Sequence, residues 1–136
     1  KKYELIKIGA TAPDIVFNNN SKLSDSKQKK LLIFGASWCP TCKQEYKALL
    51  QNYNNIKAKG IEVVYISIDT DKKAFEEAYK KAPFTTHCDF KGWDTQAAKD
   101  YYINATPTYI MLDKELKIEA LPQSIQQIQQ ELETNN

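Results

Sequence analysis

Two cysteines three positions apart, in the run Trp38-Cys39-Pro40-Thr41-Cys42, are the residues of this chain best suited to do chemistry. A pair at that spacing can close a disulfide and reopen it, moving two electrons without an added cofactor. The apolar run Leu31 to Ala36 precedes the pair and reads as a buried strand, and the amphipathic run Pro40 to Lys59 follows it and reads as a helix. Cys39 then stands at the helix N-terminus, where unpaired backbone N–H groups and the positive end of the helix dipole favour a thiolate over a thiol. Cys42 falls one turn further in. The other common meaning of such a pair, half of a structural zinc site, needs a second pair of ligands. The chain has no second pair of this kind and a single histidine, His87. A haem-attachment pair would need histidine at position 43, which is Lys43. Redox use is the reading this setting favours.

The rest of the composition narrows the classes. A length of 136 residues with 42% hydrophobic and 26% charged side chains points to one ordinary globular domain spanning 1–136. The 19 basic residues are all lysine, and the planar guanidinium fork that reads phosphate and guanine is absent, so nucleic acid is not an expected partner. The lysines read as a solvated surface. No apolar run approaches the roughly 20 residues needed to cross a bilayer. Three cysteines are too few for a disulfide scaffold, and the odd one, Cys88, reads as a small buried side chain. The chain opens at Lys1 rather than Met, which suggests a mature or trimmed form.

The elements that must position the pair follow from pattern. A short strand is expected at Ile15–Phe17, then a polar loop to Lys30 anchored by Leu23. On the helix after the pair, Cys42, Tyr46, Leu49, Leu50, Tyr53 and Ile56 fall on one apolar stripe, with Gly60 as the stop. Ile61–Ile68 is rich in β-branched residues and reads as a central parallel strand. Asp71 caps a helix over about 72–82, and a shorter helix runs from Asp94 or Thr95 to Tyr102. Strands at Thr108–Leu112 and Glu115–Ala120 flank a turn at Asp113-Lys114. A last helix, capped by Ser124, turns Ile125, Ile128 and Leu132 inward. In such a sheet the reactive site belongs at the carboxyl end of the central strands, where Cys39 falls.

Thr106-Pro107-Thr108, ahead of the last strands, completes a pattern with Ala36-Ser37-Trp38-Cys39-Pro40-Thr41-Cys42 that resembles the thioredoxin superfamily. More narrowly, the chain is similar to the TlpA/ResA-like thiol–disulfide oxidoreductases. The Gly9-x-x-Ala12-Pro13-Asp14 opening, Leu23-Ser24-Asp25, Ser67-Ile68-Asp69 and Lys91-Gly92-Trp93-Asp94 with Ala97-Ala98-Lys99 fit that branch. The resemblance spans nearly the whole chain. It implies an α/β, thioredoxin-like fold with a mixed central sheet flanked by helices on both faces. It further implies that Cys39 attacks a protein disulfide and Cys42 resolves the mixed disulfide. Pro107 would be cis and lie against the sulfurs, and the Thr106 backbone would pair with an extended substrate. Trp38, Pro40, Thr41, Thr106 and Pro107 would border that substrate.

Departures from the pattern matter. Thioredoxins proper carry a buried aspartate six residues before the first cysteine; this chain has Ile33. Asp69 is then the candidate proton acceptor for Cys42, since Asp71 reads better as a helix cap. Glu45 reads as a structural residue of the helix surface. Gly35 stands where an aromatic is usual, which either opens the floor of the site or leaves room for a neighbouring tyrosine. By resemblance the protein needs no cofactor beyond the Cys39–Cys42 disulfide and no metal. It would work as a monomer outside the bacterial cytoplasm, in the periplasm or anchored to the envelope, with a membrane thiol donor recharging the pair. The alternatives are a non-catalytic binding module and a metal carrier using Cys39 and Cys42 with Cys88 and His87. A peroxidase ranks lower: it wants Thr or Ser three residues before the reactive cysteine and Pro seven before. Cys39 is preceded there by Ala36 and Leu32, and Cys88 by Thr85 and Lys81.

Overall fold

A computed structural model describes residues 6–134. Nine elements carry the architecture: β1 (Lys29–Gly35), α1 (Pro40–Ala58), β2 (Ile61–Ser67), α2 (Lys72–Tyr79), β3 (Thr85–His87), α3 (Gln96–Asp100), β4 (Thr108–Leu112), β5 (Ile118–Ala120) and α4 (Ile125–Thr134). The strands form one sheet in the order β3-β2-β1-β4-β5. β1 runs parallel to β2 and β2 to β3, while β4 is antiparallel to both β1 and β5. The sheet is therefore mixed, as expected.

β1 is buried along nearly its whole length because both faces are covered, and its alternate residues serve two cores. Leu32 and Phe34 join Val64, Ile66, Ile110 and Leu112 on one face, closed by Tyr101, Ala97 of α3 and the opening segment at Ala12, Ile15 and Leu23. Leu31 and Ile33 join Val63, Tyr65, Tyr109 and Met111 on the other, under Leu49 and Ile56 of α1, Tyr79 of α2 and Ile125 and Ile128 of α4. That second core is aromatic. Tyr46 and Tyr65 each pack against Tyr79, Phe84 and one another, with ring centroids 4.8–6.2 Å apart.

Local signals explain the boundaries. Asp71 accepts from the Lys73 and Ala74 N–H groups at 3.0 and 3.4 Å, and Ser124 Oγ accepts from Gln127 N at 3.0 Å, so both expected caps are in place. α1 stops where Gly60 takes φ +79°, a left-handed turn with its N–H on the Lys57 carbonyl at 2.9 Å.

Several expectations need correction. Residues 15–17 form no strand: Val16 makes a single bridge to Lys22 and stays 57% exposed, because the segment has no sheet neighbour to pair with. Leu50 leaves the inner stripe of α1 and is 39% exposed, since it lies one position beyond Leu49 on the helix and rotates toward solvent. Lys30 is not part of a solvated surface. It lies on a buried strand and is itself buried, with Nζ donating to the Ser26 and Gln28 carbonyls at 2.7 and 2.9 Å. α2 ends at Tyr79 and α3 at Asp100, and β5 starts at Ile118 because Glu115 and Lys117 instead donate their N–H groups to the Asp113 turn.

Gly35 has a packing reason. A Cβ there would lie 2.2 Å from the Tyr65 hydroxyl and 2.9 Å from its Cζ, so Tyr65 occupies the volume that a side chain at 35 would need. Of the two readings of this glycine, room for a neighbouring tyrosine is the one the structure supports. Gly35→Ala should therefore cost about 1–3 kcal/mol by overpacking, measured in urea unfolding. Adding Tyr65→Phe should recover part of that loss, because the hydroxyl is the nearest clash. Strict additivity of the two changes would contradict this account.

Candidate functional site

The site forms where the carboxyl ends of β1 and β2 meet the amino end of β4. The parallel register that pairs Gly35 with Ser67, and the antiparallel register that pairs Phe34 with Thr108, deliver three loops to one edge. The loop after β1 carries the cysteines. Cys39 is the N-cap of α1, in extended backbone (φ −92°, ψ 116°), with Pro40 in the first turn where its missing N–H leaves no bond unmade. The Cys39 sulfur accepts the Cys42 N–H at 3.2 Å, the place a capping oxygen usually fills. Both cysteines are free thiols and both are buried, Cys39 included although it sits at the helix tip. They share a small apolar nest with Ala36, Ile68 and Ala98.

The two sulfurs differ electrostatically. Burial pushes the Cys39 thiol up, but the Cys42 thiol, the Thr106 side chain and the N–H groups of Cys42 and Thr41 outweigh it and leave the group below its ordinary value. Burial also pushes Cys42 up, with nothing to offset it fully, and the bond it gives to Cys39 adds to the rise, to about 11. The arrangement favours ionisation of the sulfur at the helix end and keeps the proton on its partner one turn inside.

The Thr106–Pro107 peptide is cis, and the Thr106 carbonyl lies 3.8 Å from the Cys39 sulfur, within reach of a thiol donor. Thr106 and Pro107 are half-buried, while Pro40 and Thr41 are exposed on the first turn of α1. Trp38 is 54% exposed beside the cysteine. These six residues, with Cys42, are brought to one surface.

Asp69, the candidate proton acceptor, stands in the loop after β2. It is buried, and its carboxylate accepts from Ser37 N at 3.0 and 3.2 Å, Ser37 Oγ at 2.5 Å and Ser67 Oγ at 2.5 Å. Among the described residues it makes no hydrogen bond to either sulfur of the pair. It ties the loop after β2 to the loop that carries Trp38 and Cys39.

Cys88 is buried, donates to the Asp69 carbonyl at 3.4 Å, and is pushed up by burial. His87, at the end of β3, is also buried, edge-on to Phe17, and its charged form is disfavoured by burial. No group of three or more His, Cys, Asp or Glu among the described residues could hold a metal ion.

Three residues at the site were not singled out by sequence. Trp93, 47% exposed in the turn Gly92–Asp94, packs against Trp38 with centroids 6.5 Å apart, so both tryptophans of the chain lie at the site. Its turn is fixed by Asp89, which accepts from Thr95 Oγ1, Lys91 N and Gln96 N at 2.9–3.2 Å. Tyr65 and Tyr109 come up beneath Cys42, and the glycine at position 35 was the only sequence signal for the first of them. Glu45 is structural as expected, but it points inward: Oε1 accepts from Tyr109 Oη at 2.5 Å and from Ile125 N at 2.9 Å, joining α1, β4 and the first turn of α4.

Comparison with known proteins places this geometry. A family model described as Thioredoxin-like matches residues 28–118. Among curated proteins, the thiol-disulfide oxidoreductase ResA of Bacillus subtilis is 28% identical over 85% of this chain and 66% of its own length. Human nucleoredoxin is 28% identical over 75% of this chain and 25% of its length, so the chain spans less than two thirds of these relatives. A solved thiol-disulfide oxidoreductase from Bacteroides fragilis superposes with a TM-score of 0.75 at 29% identity, over 93% of this chain and 99% of the other. The thioredoxin domain of a thiol-disulfide oxidoreductase from Bacteroides vulgatus reaches a TM-score of 0.80 over 95% of this chain and 97% of the other, which at 24% identity speaks to the fold.

The asymmetry of the sulfurs is directly measurable. In the reduced protein, iodoacetamide should modify Cys39 first, with a rate midpoint below that of ordinary cysteine, while Cys42 reacts with a midpoint near 11. Because the Cys39 midpoint is lowered on folding, the stabilisation it gives the reduced protein is present above the ordinary thiol value. It fades as pH falls through the folded midpoint. Equal midpoints at the two sulfurs would contradict the assignment.

Proposed function

The chain belongs to the thioredoxin-like family, and from that premise we propose that it exchanges thiols for disulfides on protein substrates, with Cys39 as nucleophile and Cys42 as resolving thiol. The observation that carries this reading is the Cys42 N–H on the Cys39 sulfur at 3.2 Å at the start of α1, which favours negative charge on that sulfur. The names of the ResA and Bacteroides relatives support it.

The chemistry runs in two displacements. The Cys39 thiolate attacks one sulfur of a substrate disulfide, the substrate S–S bond breaks, and the released substrate sulfur leaves as a thiolate that takes up a proton. Cys39 and the substrate are then joined. In that state Cys39 neither carries negative charge nor accepts the Cys42 proton, so two of the influences that held Cys42 protonated are gone and only its burial is left. Cys42 then attacks Cys39, the mixed disulfide breaks, and the second substrate sulfur departs with the proton. The substrate has gained two electrons and the enzyme holds a Cys39–Cys42 disulfide.

Trp38 and Pro107 form the apolar rim that orients the substrate and keeps water from the exchange, and Thr106 offers its backbone to an extended segment. Asp69 fixes the height of the reactive loop. Turnover requires an external dithiol to reopen the disulfide. An extracytoplasmic setting with a membrane-bound thiol donor is the one we favour by kinship with the ResA relatives.

Trapping tests the roles. Cys42→Ser should accumulate mixed disulfides with insulin and lose turnover, whereas Cys39→Ser should accumulate none. If both variants trap equally, or if the native pair fails to reduce insulin in the presence of dithiothreitol, the assignment is wrong.

A further inference from the structure

The chain holds two tryptophans, and both stand at the site with their rings partly in water. Trp38 is 54% exposed beside Cys39, and Trp93 is 47% exposed in the turn before α3. The two rings meet edge to face, 6.5 Å between centroids. At that exposure each indole leaves on the order of 100 Å² uncovered. Two such rings side by side, next to a nucleophilic sulfur, form the kind of aromatic patch that dominates protein–protein contacts.

Trp93 is held there by dedicated contacts. Its turn is closed by the Thr95 N–H on the Gly92 carbonyl and the Asp94 N–H on the Lys91 carbonyl, both at 3.0 Å. Asp89 ties both ends of that turn, accepting from Lys91 N on one side and from Thr95 Oγ1 and Gln96 N on the other. Gly92 takes φ +60° and lies against the loop after β2, where a Cβ would stand 3.0 Å from Thr70 Cγ2. Ile68 of that loop and Ala98 of α3 belong to the apolar nest of Cys39 and Cys42. The segments on both sides of Trp93 are therefore packed at the reactive site, while the indole itself stays outside. Tyr101, a ring that does fill the core, is 1% exposed only eight residues later.

We propose that Trp93 is a substrate-contacting residue that sets the specificity of the exchange: with Trp38 it seats a large apolar side chain flanking the cysteine of an extended protein substrate. The occupant follows from the surroundings. The seat is continuous with the rim of Trp38, Pro40, Thr41, Thr106 and Pro107, and none of these carries a charge. An aliphatic or aromatic side chain covers indole faces without giving up any hydrogen bond, whereas a carboxylate would lose water and meet only ring faces. A cation is able to lie on an indole, but the turn bears Lys91 as well as Asp94, both exposed, and offers it no net negative charge. Apolar residues beside a cysteine are buried once a protein has folded. The substrates this seat selects are therefore disulfides in chains that have not finished folding.

This inference rests on the exchange reading above and is tested apart from it. Synthetic peptides carry leucine, glycine or lysine at the two positions on either side of a single cysteine. Activated as thionitrobenzoate disulfides, they are joined to the Cys42→Ser protein: the Cys39 sulfur attacks the peptide sulfur, and thionitrobenzoate leaves as the thiolate. With two tryptophans the protein gives two indole N–H signals, assigned through Trp38→Phe. The leucine peptide should move both signals, and the glycine and lysine peptides should leave that of Trp93 in place. In the native protein, with dithiothreitol as recycling dithiol, kcat/KM for the disulfide-linked leucine peptide should exceed that for the glycine peptide roughly ten-fold, the effect of one interface tryptophan. Trp93→Ala should abolish this preference by raising KM, and Trp93→Phe should keep most of it. The Cys39 titration midpoint should stay in place in Trp93→Ala; a moved midpoint would assign the loss to a collapsed turn and overturn the proposal. Equal kcat/KM for leucine and glycine peptides, an unmoved Trp93 signal in the leucine complex, or a Trp93 signal that answers lysine as it answers leucine, overturns it too. A native protein that reduces none of these peptides, but whose Trp93 signal still answers leucine in the joined complex, would sink the exchange reading and leave the seat standing.

Discussion

One contact joins the fold of this protein to its reactivity: the Cys39 sulfur in the position of a helix cap. An α-helix begins with N–H groups that no carbonyl can reach, and an N-cap side chain normally offers oxygen to one of them. Here the acceptor is sulfur, on the Cys42 N–H at 3.2 Å. A thiol is a poor acceptor and a thiolate a good one, so satisfying the helix and ionising the cysteine are a single event. Any change that lets the first turn fray also raises the energy of the nucleophile. The 19 residues of α1, anchored by Leu49 and Ile56 in the core, hold that turn in place.

The sheet then decides what the sulfur faces. Because β1 and β2 are parallel, both release their chains at the same edge, and Asp69 can accept from Ser37 and Ser67 together. Because β4 is antiparallel to β1, its amino end arrives at that same edge and brings the Thr106 carbonyl to Cys39, with Pro107 beside Cys42. An all-parallel sheet would put that loop at the opposite end. The mixed topology is thus a requirement of the site: the nucleophile is presented by a strand that ends there, the substrate rim by one that begins there.

Much of this was legible in the sequence, where one signal sufficed. The strand-to-helix setting of Cys39, the caps at Asp71 and Ser124, and the exact span of β4 follow from periodicity and local hydrogen-bonding chemistry. What needed the third dimension was hidden. Val16 has a strand-like neighbourhood but no neighbouring strand, so propensity alone misled. Lys30 is buried because two carbonyls of its own loop turn back on its amine, which no pattern of charges announces. Trp93 lies fifty-five positions from Trp38 and meets it only because Asp89 folds the intervening turn. The role of Asp69 as a tie between loops depends on Ser37, thirty-two residues away.

The same limit applies to Gly35, and it shows how packing and chemistry trade places in this core. A glycine in a buried strand is ordinarily a weakness, having no side chain to pack. Here the volume is filled from the adjacent strand by Tyr65, which fits only because position 35 is bare. The exchange puts a hydroxyl in an apolar floor, and a buried hydroxyl must find company. Tyr79 supplies it at 3.4 Å, just as Glu45 supplies it to Tyr109 on the other flank of Ile33. The aromatic character of the α1 face follows from that need, since phenols bring their polar atoms on large apolar bodies that can pack edge to face with Tyr46 and Phe84. A core of aliphatic side chains would have been as well buried, but it would have left the resolving sulfur with no polar neighbour from the sheet.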